Sequence, residues 1–241
     1  MGNFCLTENL AYLFPTSPSA RTLAVILKIK MIKDNSGKIY RFKLDHNQGY
    51  GFAEIYDFTD IHEFDGRIIY VYNLVDQDAK SEYDLQDIHS SGIAIGPIRI
   101  MSFPGTKGKY ASKFIGQRND FLVTEIPITK ELNEMIIRES NWNNFELWYR
   151  SDNFKNGDFI FSKYSELRNL ETRILSSIVT VATKFTMKIL IDNNKDVAEY
   201  YDLNEVGNYN MFIQLINTYY SLEKATELLS QTKNPYKKET N

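Results

Sequence analysis

The apolar residues of this chain change their spacing once, near Pro127, and that change decides the fold class. Before it they recur at every second residue over short runs; after it they recur every three or four residues. A period of two belongs to a strand with one buried face, and a period near 3.6 to a helix with one apolar stripe. The sequence therefore predicts an α+β fold: an N-terminal bent antiparallel sheet or small barrel in residues 1–128, followed by a helical C-terminal subdomain in residues 129–241.

The strand half reads in detail as follows. Over 25–33, Leu27, Ile29 and Met31 alternate with Lys28, Lys30 and Ile32, and Asp34-Asn35-Ser36-Gly37 turns the chain into a second strand over 38–44. A strand over 50–56 carries Gly51 as a bulge or close-approach site. Further strands are expected over 67–75, 93–103, 110–115 and 121–126, with Gly96-Pro97 marking an edge or a bulge. Acidic loops cover 57–66 and 76–91, the second with a short helical turn at 83–88. In the helical half, Thr129 is a candidate cap for a helix over 130–139. Residues 141–161 read as irregular and aromatic, and long helices are expected over 165–190 and 203–230.

Charge is more informative locally than in total. The net charge is −3, but residues 54–87 hold ten acids opposed only by Arg67 and Lys80, a local balance of −8. Such a run reads either as a solvated face or as a docking surface that steers a basic partner. The docking candidates are Asp57, Asp60, Glu63, Asp65, Asp76, Asp78, Glu82 and Asp84. A basic group, Lys28 to Lys43 with Arg99, Lys107, Lys109, Lys113 and Arg118, has Tyr40 and Tyr110 nearby for stacking and supports a nucleic-acid reading. The acidic run argues against it, because it repels phosphate.

Signals for chemistry are sparse. The single cysteine, Cys5, allows neither an internal disulfide nor a cysteine zinc site, which fits a reducing compartment such as the cytoplasm. His46, His62 and His89 fall in turns and loops without metal-ligand spacing. Gly105-Thr106-Lys107-Gly108-Lys109 lacks the spacing of a phosphate loop. The run of acids offers no pair of carboxylates with separated environments for acid–base work. No apolar run is long enough to span a membrane. The expectation is a protein that is not an enzyme, with no catalytic residues, no metal and no cofactor; an uncharacterised hydrolase ranks last.

Four motifs resemble the immunity protein 26 family of bacterial polymorphic toxin systems. Lys38-Ile39-Tyr40-Arg41-Phe42-Lys43-Leu44 is similar to the family's strand entering a short turn. Gly49-Tyr50-Gly51-Phe52-Ala53-Glu54-Ile55 resembles its turn followed by Gly-aromatic-Gly-aromatic and a strand. Ile68-Ile69-Tyr70-Val71-Tyr72 and Lys113-Phe114-Ile115-Gly116 resemble later positions, with Phe114 where the family has Trp. The likeness covers 38–125. It implies a cytoplasmic immunity protein that binds a cognate toxin and occludes its active site or substrate access, without enzymatic residues to carry over. A nuclease toxin with a basic groove suits the acidic run. The alternative is a nucleic-acid or regulatory binding module using the basic N-terminal strands.

Overall fold

The computed structural model describes residues 36–58, 66–79, 82–100, 105, 107–118, 127–132, 148–151, 159–162, 164–172, 174–232 and 235. Alternating side chains from 38 to 117 build one antiparallel sheet. Its strands are β1 (Lys38–Lys43), β2 (Tyr50–Asp57), β3 (Arg67–Asp76), β4 (Ile93–Ile100) and β5 (Ser112–Gln117), in the order β4-β3-β2-β1-β5. Four strands follow each other as a meander, and β5 returns to pair with β1. Register shifts in the β1–β5, β2–β3 and β3–β4 pairs bend the sheet. The Gly96-Pro97 peptide is cis and lies in β4, an edge strand of this sheet. The fold is α+β, and the sheet is open among the described residues, not closed into a barrel.

Two glycines set the geometry around β2. The β1–β2 connection is a 3-10 turn, Asp45–Asn47, with His46 and Asn47 both at positive φ. Gly49 follows at φ +94, and a Cβ there would stand 2.4 Å from the Asp76 carbonyl oxygen, so only glycine fits. At Gly51 a Cβ would lie 2.9 Å from the Phe185 ring, so the missing side chain lets a helix ring touch the sheet backbone. The strand register also shifts there, and the sequence expectation of a bulge or a close approach holds in both senses.

The sheet has two unlike faces. Phe42, Ala53, Ile55, Ile69, Val71 and Ile95 point to one side and share a core with the helices. Those helices are α3 (Ile178–Asp192), α4 (Val206–Tyr219) and α5 (Leu222–Ser230), coming after a short β3–β4 helix α1 (Leu85–Ser90) and a single turn α2 (Tyr164–Leu167). Val181, Phe185, Leu190, Phe212 and Ile216 supply the helical side of that core. Ile39, Phe52 and Tyr72 point to the other face, where Ile88 of α1 covers them. Each fully buried aliphatic or aromatic side chain contributes about 1.5–3 kcal/mol relative to exposure. The core therefore crosses residue 128, and the helices stabilise the sheet directly.

Four expectations in the second half are corrected. Residues 129–132 are not helical: Thr129–Leu132 forms β6, which pairs with β7 (Trp148–Ser151) and through it with β8 (Phe159–Ser162) in a second sheet. Residues 148–161 are thus partly strand where irregular chain was expected; short aromatic runs suit strands. The 165–190 helix is broken. After α2 the chain turns at 168–170, and Thr172 then bridges Lys130 and Ser176 bridges Ile100. Ser177 then caps α3, its side chain accepting from the Thr180 amide at 3.2 Å. Ile174, assigned to the helical stripe, is 49% exposed. The 203–230 helix splits at Tyr220, whose backbone is extended, and Ser221 caps α5. The 25–33 and 121–126 strands and residues 133–139 lie outside the described residues.

A candidate binding cleft on the face away from the helices

Strand alternation places Phe52, Glu54 and Tyr56 of β2 on the face opposite the helices, and Ile68, Tyr70 and Tyr72 of β3 beside them. Tyr70 stands directly across from Glu54 in the ladder, and Ile39 of β1 flanks Glu54 on its other side. α1 covers the Phe52 end of this face through Ile88 and Leu85. The Tyr56 end is left as a cleft of about 480 Å3, lined by Glu54, Tyr56, Tyr70, Tyr72, His89, Gly92, Ile93 and Arg118.

Glu54 is the floor of the cleft, 2% exposed. Its Oε2 accepts the Tyr72 hydroxyl and lies 3.6 Å from Nη1 of Arg118. Its Oε1 has no hydrogen-bond partner among the described residues. The Tyr56 hydroxyl also hydrogen-bonds the Glu54 carboxylate, so two phenols and Arg118 gather on this one buried charge. Burial pushes the hydroxyls of Tyr56, Tyr70 and Tyr72 up from their ordinary value, and the nearby Glu54 charge pushes them further. All three therefore stay protonated near neutral pH, and Tyr72 and Tyr56 direct their hydroxyls to Glu54. Tyr56 and Tyr70 meet edge to face at 5.5 Å, and Tyr72 meets His89 at 6.3 Å. The exposed side of the cleft is formed by His89, Gly92 and Ile93, the last 49% exposed.

The proposed docking acids are placed differently from one another. Asp57 does not sit in a loop. It ends β2, is 6% exposed, and pairs with Nε of Arg67 at 3.0 Å. Its role as a hydrated docking carboxylate is thereby corrected, because a buried and paired carboxylate has no free charge to offer. Glu54, also counted in the acidic run, is buried as well. Asp76 is half-buried: its Oδ2 accepts from Tyr83 at 2.7 Å, and the Tyr83 oxygen in turn accepts from Arg41 at 2.9 Å. Asp78, Glu82 and Asp84 are exposed, as is Asp87. Asp84 caps α1, accepting from the Gln86 amide at 2.8 Å. Asp60, Glu63 and Asp65 lie outside the described residues, as do Cys5 and His62.

No family model, no curated protein and no solved structure matches the chain. Its function must therefore be argued from its own residues.

The remaining sequence candidates resolve into structural roles. Asp45 collects hydrogen bonds from Tyr110 (2.7 Å), Thr183 (2.8 Å) and Tyr201 (3.1 Å), and an ion pair with Lys109 at 3.1 Å. Lys109 and Tyr110 are thus tied to Asp45, where the nucleic-acid reading needs them turned to phosphate and base. The His46 ring packs edge-on against Tyr201 at 4.6 Å. Among the described residues no three His, Cys, Asp or Glu side chains converge to hold a metal ion, and no helix is long and apolar enough to cross a membrane. The sequence does not announce the cleft because Glu54, although inside the strand over 50–56, counts there only as the first acid of the 54–87 run. The available signal was a lone carboxylate inside a period-two strand, between Phe52 and Tyr56 on one face.

Proposed function

We propose that this protein is an immunity-type inhibitor: it binds a basic toxin protein and occludes that toxin's active site or substrate access, without catalysing a reaction. One observation carries the reading. Asp78, Glu82, Asp84 and Asp87 stand exposed along a single segment leading into and through α1, beside a cleft whose floor is an incompletely satisfied carboxylate. Exposed carboxylates at this density attract a basic surface over about a Debye length, roughly 8 Å at physiological salt, and raise encounter rates. Aromatic and hydroxyl groups beside them supply the short-range contacts that hold a complex once formed. The motifs of β1, β2, β3 and β5 that resemble the immunity protein 26 family fall on this same sheet, which supports the assignment. The protein is expected to act in the cytoplasm, where a toxin of this kind meets its target.

The test is a search of the neighbouring coding sequence for a basic toxin domain, followed by co-expression of that domain with this chain. Growth is expected to be restored, and the two chains are expected to co-purify at equal stoichiometry. Toxicity undiminished by the full-length chain, with no complex on size exclusion, refutes the reading.

A further inference from the structure

We propose that the Tyr50 end of the sheet face away from the helices docks a second copy of the same chain about a two-fold axis, the exposed lysines of each copy against the exposed acids of the other. The acidic segment is the one the toxin reading also uses, but the proposal does not rest on that reading, because it concerns the chain alone.

Strand alternation collects the parts. Arg41 and Lys43 of β1 share the face of Ile39. In the ladders, Lys113 of β5 stands across from Arg41, Tyr50 of β2 across from Lys43, and Asp76 of β3 across from Tyr50. At about 4.8 Å between neighbouring strands, the charge changes sign within roughly 14 Å from β5 to β3. On the basic side Lys43 and Lys113 are exposed, and neither makes an ion pair among the described residues. On the acidic side Asp78, Glu82 and Asp84 are exposed. Arg41, Tyr50 and Tyr83 form the seam between the sides, and all three are half-buried. The Arg41 guanidinium lies 4.5 Å from the Tyr50 ring centre and 5.8 Å from that of Tyr83, and Tyr83 links Arg41 to Asp76.

A two-fold interface needs a patch that is its own complement. This one is positive at one end and negative at the other. A two-fold axis lying between the copies and running along β2 sets the β5 side of one copy over the β3 side of its partner, twice, and brings the two seams together. Arg and Tyr are enriched at the centres of protein interfaces, while charges at the rim set register and encounter rate. A single-stranded nucleic acid matches the basic side only, and the acids within the same footprint repel its phosphates.

Sedimentation velocity of the full chain alone, over a series of protein concentrations, tests this. At about 20 mM salt the wild type is expected to dimerise with a dissociation constant on the order of 10 µM. Near 0.5 M salt, where the Debye length falls to roughly 4 Å, it is expected to be a monomer. Two variants separate docking from folding: Lys43→Glu with Lys113→Glu, and Asp78→Lys with Glu82→Lys. All of these positions are exposed, and Asp84, which caps α1, is left in place, so both variants should keep the wild-type thermal midpoint. Each alone should dimerise at least about tenfold more weakly. Their equimolar mixture should restore the dimer, because every junction again joins opposite charges. A wild type that stays monomeric at low salt overturns the proposal. So does a dimer that both variants keep, and so does a mixture no tighter than its components. A monomeric wild type that binds a labelled single-stranded oligonucleotide through Lys43 and Lys113 overturns it in favour of nucleic acid. None of these results bears on toxin binding.

Discussion

Asp45 fastens the β1–β2 turn to the helical layer. It is 4% exposed, and its two oxygens take hydrogen bonds from Tyr110, Thr183 and Tyr201, while its own backbone amide donates to the Thr186 hydroxyl at 3.1 Å. Burial pushes this carboxyl up, but the hydrogen bonds from Tyr110, Thr183, Lys109 and Tyr201 outweigh it, and the group lies below its ordinary value. A depressed carboxyl stabilises the fold above its unfolded pKa, near 3.9, and that stability is lost as pH falls through the lower folded value. Asp45→Asn should therefore cost about 2 kcal/mol in urea unfolding at neutral pH, and should flatten the acid limb of the stability curve. An unchanged acid limb contradicts this account. Nothing local in the sequence announces this role. Thr183 and Tyr201 lie 138 and 156 residues away in the chain, so no local pattern points to Asp45. Glu54 was hidden for a related reason: its partners Tyr72, in β3, and Arg118, just after β5, are distant in the chain, and only the fold brings them together.

Lys130 of β6, which bridges Thr172, is buried at 1% exposed. Its Nζ donates to the Arg168 carbonyl at 2.7 Å and to Thr218 at 3.0 Å, and burial brings its pKa down from 10.5 to about 7, with Lys184 and Arg168 adding to the shift against Glu171. Below about pH 7 both states hold the proton and the fold carries the burial penalty. Between about 7 and 10.4 the unfolded chain keeps a proton that the folded chain has released, so stability rises with pH. Above about pH 10 the slope reverses: burial raises Tyr201 and Tyr220, so the unfolded chain loses phenolic protons first. Urea unfolding at a series of pH values should show this rise and fall in the wild type. Lys130→Met should remove the rise between pH 7 and 10 and keep the fall; a variant that keeps the rise contradicts the assignment. The β1–β4 meander was legible because alternation and turn glycines agree at every step. The helical half was legible only in its stripes. Leu167, Leu170 and Ile174 keep helical spacing, yet only Leu167 is helical: a turn at 168–170 ends α2, Glu171 meets Lys184 at 2.5 Å, and Ser177 starts the next helix. That ion pair spans 13 residues, beyond the reach of any helical period.

The molecule divides its labour between the two faces of one sheet. The helices occupy one face and make it rigid; the other keeps a balanced, aromatic cleft with an exposed acidic segment at its side. The charge expected from the sequence is thinner than a count of acids implies, since Glu54 and Asp57 are buried and Asp76 is linked through Tyr83 to Arg41. What remains for steering is Asp78, Glu82, Asp84 and Asp87, together with whatever Asp60, Glu63 and Asp65 add. The most direct measurement is the association rate of the full chain with the proposed partner, a basic toxin domain sought in the neighbouring coding sequence, for the wild type and for a variant carrying Asp78→Lys, Glu82→Lys, Asp84→Asn and Asp87→Lys. Asparagine at 84 preserves the cap of α1. The account expects the variant to associate about tenfold or more slowly at low salt, and the two rates to converge near 0.5 M salt, where the Debye length falls to roughly 4 Å. Equal rates at low salt contradict it.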